Sequence, residues 1–172
     1  PMYDFFEISN EMLCVANRDG YLVRVNSAWT RALGWSAAEL TSRPFLDFVH
    51  PDDVEATVLE AAKLHQGDGY EAVGFENRYR CRDGGYRWLS WHTRLFPETS
   101  ELVATARDIT EQKLAADALS FSEQRFRTLA DHAPVSIFLA DLQGRNTFVN
   151  RRWCEISGLT PEQTAGYGWK AA

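Results

Sequence analysis

The segment Leu22-Val23-Arg24-Val25-Asn26-Ser27-Ala28-Trp29 returns 124 residues later as Asn146-Thr147-Phe148-Val149-Asn150-Arg151-Arg152-Trp153. The shift that pairs Asn26 with Asn150 and Trp29 with Trp153 also pairs Ala16 with Ala140, Gly20 with Gly144, Gly34 with Gly158 and Ser36 with Thr160. So many coincidences at one offset mark a duplicated unit, and a period of this length is a whole domain, too long for a solenoid repeat. Ala172 pairs with Phe48, so counterparts of residues 49–110 do not occur in the sequence. The expected organisation is a complete module over 1–110, a helical connector over 111–131, and the leading part of a second module over 132–172.

Within the first module, residues 2–9 read as a short apolar-faced helix and Met12 to Ala16 as a strand. Asn17-Arg18-Asp19-Gly20 reads as a hairpin turn into a second strand, Tyr21 to Val25, since Asp-Gly suits a two-residue loop of positive φ. Asn26 is placed to cap a short helix ended by Gly34. Ser36-Ala37-Ala38-Glu39 is a capping box, repeated as Thr160-Pro161-Glu162-Gln163 with proline at the first helical position. His50-Pro51-Asp52-Asp53 opens a longer helix, with both carboxylates suited to its N-terminal dipole and Val54, Val58, Leu59 and Ala62 as its apolar stripe. Gln66-Gly67-Asp68-Gly69 is expected to stop it.

Three strands follow. Phe75, Asn77, Tyr79 and Cys81 alternate with Glu76, Arg78, Arg80 and Arg82. Tyr86 to Phe96 puts Trp88 on one face and Leu89, Trp91 and Leu95 on the other. Leu102 to Ile109 carries Ala104 and Ala106, which leave room beside them. This last strand hands over directly to a helix at Arg107-Asp108-Ile109-Thr110-Glu111-Gln112-Lys113, with Asp108 or Thr110 as N-cap and Glu111 in the first turn. The order of elements predicts an α+β fold: an antiparallel sheet with helices massed on one face. In the connector, Ser120-Phe121-Ser122-Glu123 is a further capping box, predicting two helices or one broken near Ser120. Without three central strands, residues 134–172 cannot bury Ile137, Phe138, Phe148 and Trp153 alone. They are expected to borrow a surface from the first module or from a neighbouring chain, giving a dimer.

Composition narrows the function. A formal charge of −6 argues against nucleic acid, whose phosphates need a basic surface. No apolar run approaches the roughly 18 residues of a membrane span. Pro1-Met2-Tyr3-Asp4 has neither a basic region nor an apolar signal core and reads as a clipped start. Cys14, Cys81 and Cys154 stand far apart, indicating neither disulfide framework nor zinc site and pointing to a reducing, cytoplasmic compartment. The scattered His50, His65, His92 and His132 read as structural or solvated. No phosphate loop, G-x-S-x-G elbow or H-E-x-x-H pattern is present, so no catalytic residue is assigned.

Taken in order, Asp19-Gly20, Val25-Asn26, Leu33-Gly34-Trp35, His50-Pro51-Asp52-Asp53, Arg78-Tyr79-Arg80, Arg82-Asp83-Gly84, Trp88 and Asp108-Ile109-Thr110 resemble the PAS family. The likeness is to a PAS domain with its C-terminal PAC motif, followed by the start of a second. The resemblance implies a five-stranded antiparallel sheet with a ligand-sized cavity beneath short helices. It implies a sensory or dimerisation role in bacterial signalling proteins, chiefly sensor histidine kinases, with cyclic-dinucleotide enzymes as an alternative. It further implies that Asp108 and Thr110 tie the outgoing helix to the sheet through a partner among Arg80, Arg82, Arg87 and Trp88. The candidate pocket residues are Phe45, Phe48, Val58, Tyr79 and Trp91.

The flavin-photosensor subclass needs a cysteine in an Asn-Cys-Arg-Phe-Leu-Gln run, whereas Ser42-Arg43-Pro44-Phe45-Leu46 has none. Haem-binding members place a histidine on the longer helix, and Val54 to Leu64 holds none. A non-covalent flavin would need Trp29, Trp35, Phe45, Trp88 and Trp91, which serve equally as core. The expectation is therefore no cofactor and no metal, an unspecified small ligand or none, and a homodimer. A purely structural dimerisation module with a filled core is the alternative.

Overall fold

Alternating apolar residues on long strands set the sheet in the computed structural model, which describes residues 5–66 and 70–171. The chain divides into two units, one through Lys113 and one from Leu114. In the first, α1 (Phe5–Ile8), β1 (Met12–Ala16), β2 (Leu22–Val25), α2 (Ser27–Leu33), α3 (Ala37–Thr41) and α4 (Val54–Leu64) precede three long strands. These are β3 (Glu71–Arg80), β4 (Tyr86–Phe96) and β5 (Glu101–Asp108). The sheet is five-stranded and antiparallel, in the order β2-β1-β5-β4-β3. Its inner face presents Met12, Cys14, Leu102, Ala104, Ala106, Leu89, Trp91 and Tyr79, all buried. Trp29 of α2 is fully buried, with ring centroids 5.8 Å from both Tyr79 and Trp91. These contacts place the helices on one side, as the alternation predicts.

Several local expectations are corrected. Asn26 does not cap α2 with its side chain; its amide is spent on β1 and α1 instead. Gly20 takes φ 80° but Asp19 does not join it, so the β1–β2 connection is a longer turn held by the Asn17 side chain. Strand β3 begins at Glu71, ahead of a bulge at Gly74, and ends at Arg80, leaving Cys81 and Arg82 in the following turn. The buried positions of α4 are Thr57 and Leu64, while Val58, Leu59 and Ala62 face solvent. The helix is thus turned by about one residue from the predicted stripe, because Thr57 is bonded into the sheet. Asp53 makes no cap bond and pairs with Arg78. The turn read at 67–69 and the first residues of the N-terminal helix lie outside the described residues; Phe5–Ile8 of that helix is formed.

Helix α5 (Thr110–His132) is continuous through Ser120, so the predicted break is absent. Neither proline nor glycine interrupts residues 110–132, and the serines are tolerated at solvent-facing positions. In the second unit, β6 (Phe138–Ala140) and β7 (Asn146–Val149) form a two-stranded antiparallel sheet, followed by α6 (Arg151–Ser157) and α7 (Pro161–Thr164). The capping boxes at Ser36 and Thr160 both form, as read from the repeat. Phe138 is 63% exposed, and Ile137, Phe148 and Trp153 are only half-buried.

Candidate functional site

Two features of the first unit bear on function: a junction where β5 becomes α5, and a cavity between α4 and the sheet. The junction follows from register. β4 and β5 pair Leu89 with Asp108, which sets Arg87 diagonally beside the carboxylate. Asp108 Oδ2 accepts from Arg87 Nη1 at 2.8 Å, and its Oδ1 accepts from the Thr110 backbone N at 2.9 Å and Thr110 Oγ1 at 2.6 Å. Thr110 Oγ1 in turn accepts from the Trp88 backbone N at 2.9 Å. Between them Ile109 is buried, and its N–H donates to Trp88 O. The first turn of α5 therefore hangs from Trp88, near the start of β4, through Ile109 and Thr110. Burial acts to raise the Asp108 carboxyl, but the hydrogen bonds from Thr110 and Arg87 outweigh it and hold the group below its ordinary range.

A second tie reaches the helix one turn later. Lys113 Nζ pairs with Glu76 of β3 and stands 5.2 Å from the Trp88 ring centroid, which also receives the Arg78 guanidinium at 5.2 Å. Arg78 itself binds Asp53 bidentately, at 2.9 Å and 2.7 Å. The hydrogen bond from Arg78 is the main cause of the lowered Asp53 pKa. None of Glu76, Lys113 or the Asp53–Arg78 pair was among the predicted relay residues. Their partners are far apart in sequence, and no local spacing marks them.

Of the predicted partners, Arg87 and Trp88 meet Asp108 and Thr110. Arg80 does not: its guanidinium lies over Trp35 at 5.9 Å, while its backbone O accepts from Trp35 Nε1. Arg82 faces Glu39 at 3.4 Å. Both follow the edge of the sheet towards α3, away from β5.

The cavity has a volume of about 70 Å3, and of the candidate pocket residues Phe45, Tyr79 and Trp91 lie in its wall. Phe48 and Val58 do not: Phe48 is fully buried but packs edge-on against Trp35 at 5.5 Å, and Val58 is 46% exposed on the far side of α4. Small side chains at Ala16, Ala72 and Ala104 create the space. Its polar wall is a chain of bonds: Trp91 Nε1 donates to Asn77 Oδ1 at 2.7 Å, Asn77 Nδ2 to Thr57 Oγ1 at 3.0 Å, and Thr57 Oγ1 to Asp53 O at 2.7 Å. Burial pushes the Tyr79 phenol up, and the Cys14 thiol up to about 12. Both are neutral groups in an apolar wall. The volume falls well below the roughly 300–1,000 Å3 of sites for drug-sized ligands. An isoalloxazine or a porphyrin does not fit this core as packed. No group of side chains able to hold a metal ion occurs among the described residues.

Comparison with known proteins places these features in context. The description "PAS fold" matches residues 22–106, and "PAS domain" matches residues 124–170. The uncharacterized protein y4lL of Sinorhizobium fredii is 32% identical over 168 residues, covering 95% of this chain and 20% of its own length. The two-component sensor PprA of Pseudomonas aeruginosa is 34% identical over 126 residues, covering 69% of this chain and 13% of its own length. The chain thus spans about a fifth or less of these relatives. Among solved structures, a sensory box histidine kinase/response regulator from Burkholderia thailandensis aligns at a TM-score of 0.50 with 27% identity, over 69% of this chain and 92% of that one. The PAS domain of an HTR-like protein from Haloarcula marismortui aligns at 0.51 with 25% identity, over 60% and 85%.

Proposed function

The chain belongs to the PAS family, and on that premise we propose that it is a sensory module of a multidomain two-component signalling protein, a sensor histidine kinase. It relays the state of its cavity and sheet through the β5–α5 junction. The observation that carries this reading is the junction's geometry. One carboxylate joins the last strand residue, the first helical residue and a neighbouring strand, so sheet and helix cannot move independently without breaking charge-assisted bonds. Two-component relatives support the assignment of the output, and any catalysis belongs to another domain. No helix among the described residues is long and apolar enough to cross a membrane, and a cytoplasmic position is part of the proposal.

A homodimer completes the reading. Leu114, Phe121 and Leu129 are each more than 60% exposed on α5, and Phe138 is left uncovered in the second unit. The small cavity favours one further possibility, a structural dimerisation module with a filled core. Filling the cavity separates the two. Ala104→Leu places a larger side chain in the space, and a sensing module answers with a several-fold change in amide exchange at residues 110–114. Unchanged exchange there, in a folded variant, rejects relay from the cavity. Native mass spectrometry and an absorption spectrum of the same sample read oligomeric state and retained ligand.

A further inference from the structure

The two modules share more than sequence at Asn26 and Asn150. Asn150 is fully buried and uses all of its hydrogen-bonding capacity. Its Nδ2 donates to Ala130 O at 2.7 Å and Val135 O at 2.9 Å, and its Oδ1 accepts from Ile137 N at 2.9 Å and Trp153 N at 3.0 Å. Asn26, 1% exposed, repeats three of these bonds at the same offset: Nδ2 to Phe6 O and Glu11 O, both 2.9 Å, and Oδ1 from Leu13 N at 3.0 Å.

A carboxylate completes each arrangement. Asp131 Oδ1 accepts from Arg151 N at 2.9 Å, and Glu7 Oε2 from Ser27 N at 3.1 Å, again 124 residues apart. Ala130 and Asp131 belong to the last turn of α5, where carbonyls lack intrahelical partners. Arg151 and Ser27 are the first residues of α6 and α2, whose N–H groups are likewise unpaired. The amide thus closes the end of one helix, while the acid on that helix closes the start of the next. Burying so many backbone groups against one side chain fixes the arriving helix in position and in rotation about its axis.

We propose that Asn150 is the positioning residue that seats the end of α5 on the second module and receives its movement, and that Asn26 is the matching joint for α1 on the first. The inference rests on the relay reading for what the joint receives, and on hydrogen-bond geometry alone for the joint itself. Each module then has a defined input at its asparagine, and the complete one also has an output at Asp108.

The test uses the 172-residue chain with 5-fluorotryptophan incorporated, the Trp153 signal being assigned by its loss in Trp153→Phe. Asn150→Asp keeps the oxygen that accepts from Ile137 and Trp153 but removes the donor to Ala130 and Val135. Amide exchange at residues 130–134 is expected to rise about tenfold or more, the loss of a buried hydrogen bond, with β6, β7 and α6 retained. Asp108→Ala is expected to shift the Trp153 fluorine signal in the parent chain and to leave it unmoved beside Asn150→Asp. A Trp153 signal indifferent to Asp108→Ala in the parent rejects the relay reading. A signal that still moves in the double variant, or exchange at 130–134 unchanged in Asn150→Asp, rejects the joint alone. Should Asn150→Asp unfold the second unit, Asn26→Asp in the complete module decides. Release of residues 5–11 with the five-stranded sheet protected supports the joint, and collapse of the whole sheet makes the asparagine an ordinary core residue.

Discussion

Replacing Asp108 by alanine removes three bonds at one point and leaves the rest of the junction standing. The cap on the Thr110 N–H is lost, at about 1 kcal/mol for an N-cap oxygen. So is the pair with Arg87. Its partners are 27% and 43% exposed, so solvent screening limits it to about 0.2–1 kcal/mol. Thr110 Oγ1 keeps its bond from Trp88 N, and Ile109 stays buried with its N–H on Trp88 O. The expected cost is therefore about 1–2 kcal/mol, confined to the first turn of α5. Amide exchange read by mass spectrometry should accelerate about 5–30-fold across residues 110–114, while β1 and β4 change little. Asp108→Asn, which keeps the oxygen over Thr110 but loses the charge, should fall between alanine and the parent. Exchange at 110–114 within twofold of the parent in Asp108→Ala would refute the reasoning, since the carboxylate would then hold nothing that Ile109 and Thr110 do not.

Asn77→Ala strips the buried Trp91 Nε1 of its acceptor and unties Thr57 from the sheet. It should cost about 2–4 kcal/mol, seen as a lower urea midpoint at unchanged slope; a shift below 1 kcal/mol would mean that water replaces the amide. Asp53 and Asp108 both have folded-state pKa values depressed below the ordinary carboxylate range. The stability they contribute is present above that range and is lost as the pH falls through it and below, under roughly pH 4. Acid titration of exchange at residues 110–114 should therefore show release that Asp108→Asn abolishes; an unaltered acid profile in that variant would assign the release elsewhere.

The five strands and the handover to α5 were legible because they rest on alternation and on the turn and capping residues between elements; the order β2-β1-β5-β4-β3 was not. Phe75, Asn77 and Tyr79 point inward in the structure as they alternate in the sequence, and Ala104 leaves the space that its size suggests. What escaped reading depends on partners that only the register brings together. Arg80, Arg82 and Arg87 are equivalent as sequence, yet the pairing of Leu89 with Asp108 selects Arg87. Val58 looked like a pocket residue because it is apolar, whereas the position that faces the sheet is the polar Thr57, satisfied by Asn77. Asn26 looks like a helix cap because it precedes one, yet its buried amide serves three backbone partners and leaves the cap bond unmade, whereas Asn150 makes the three equivalent bonds and the cap bond as well. Asp53 and Arg78 lie 25 residues apart, and neither carries a local sign of the other.

The coupling of strand to helix is tested most directly by native-state hydrogen exchange across a series of low urea concentrations, comparing amides of residues 101–108 with those of 110–114. If the junction binds the two into one cooperative unit, both groups open with the same free energy and the same urea dependence, and Asp108→Ala separates them. If residues 110–114 open in the parent chain with a lower free energy and no urea dependence, helix α5 frays independently of the sheet and the relay has no physical basis.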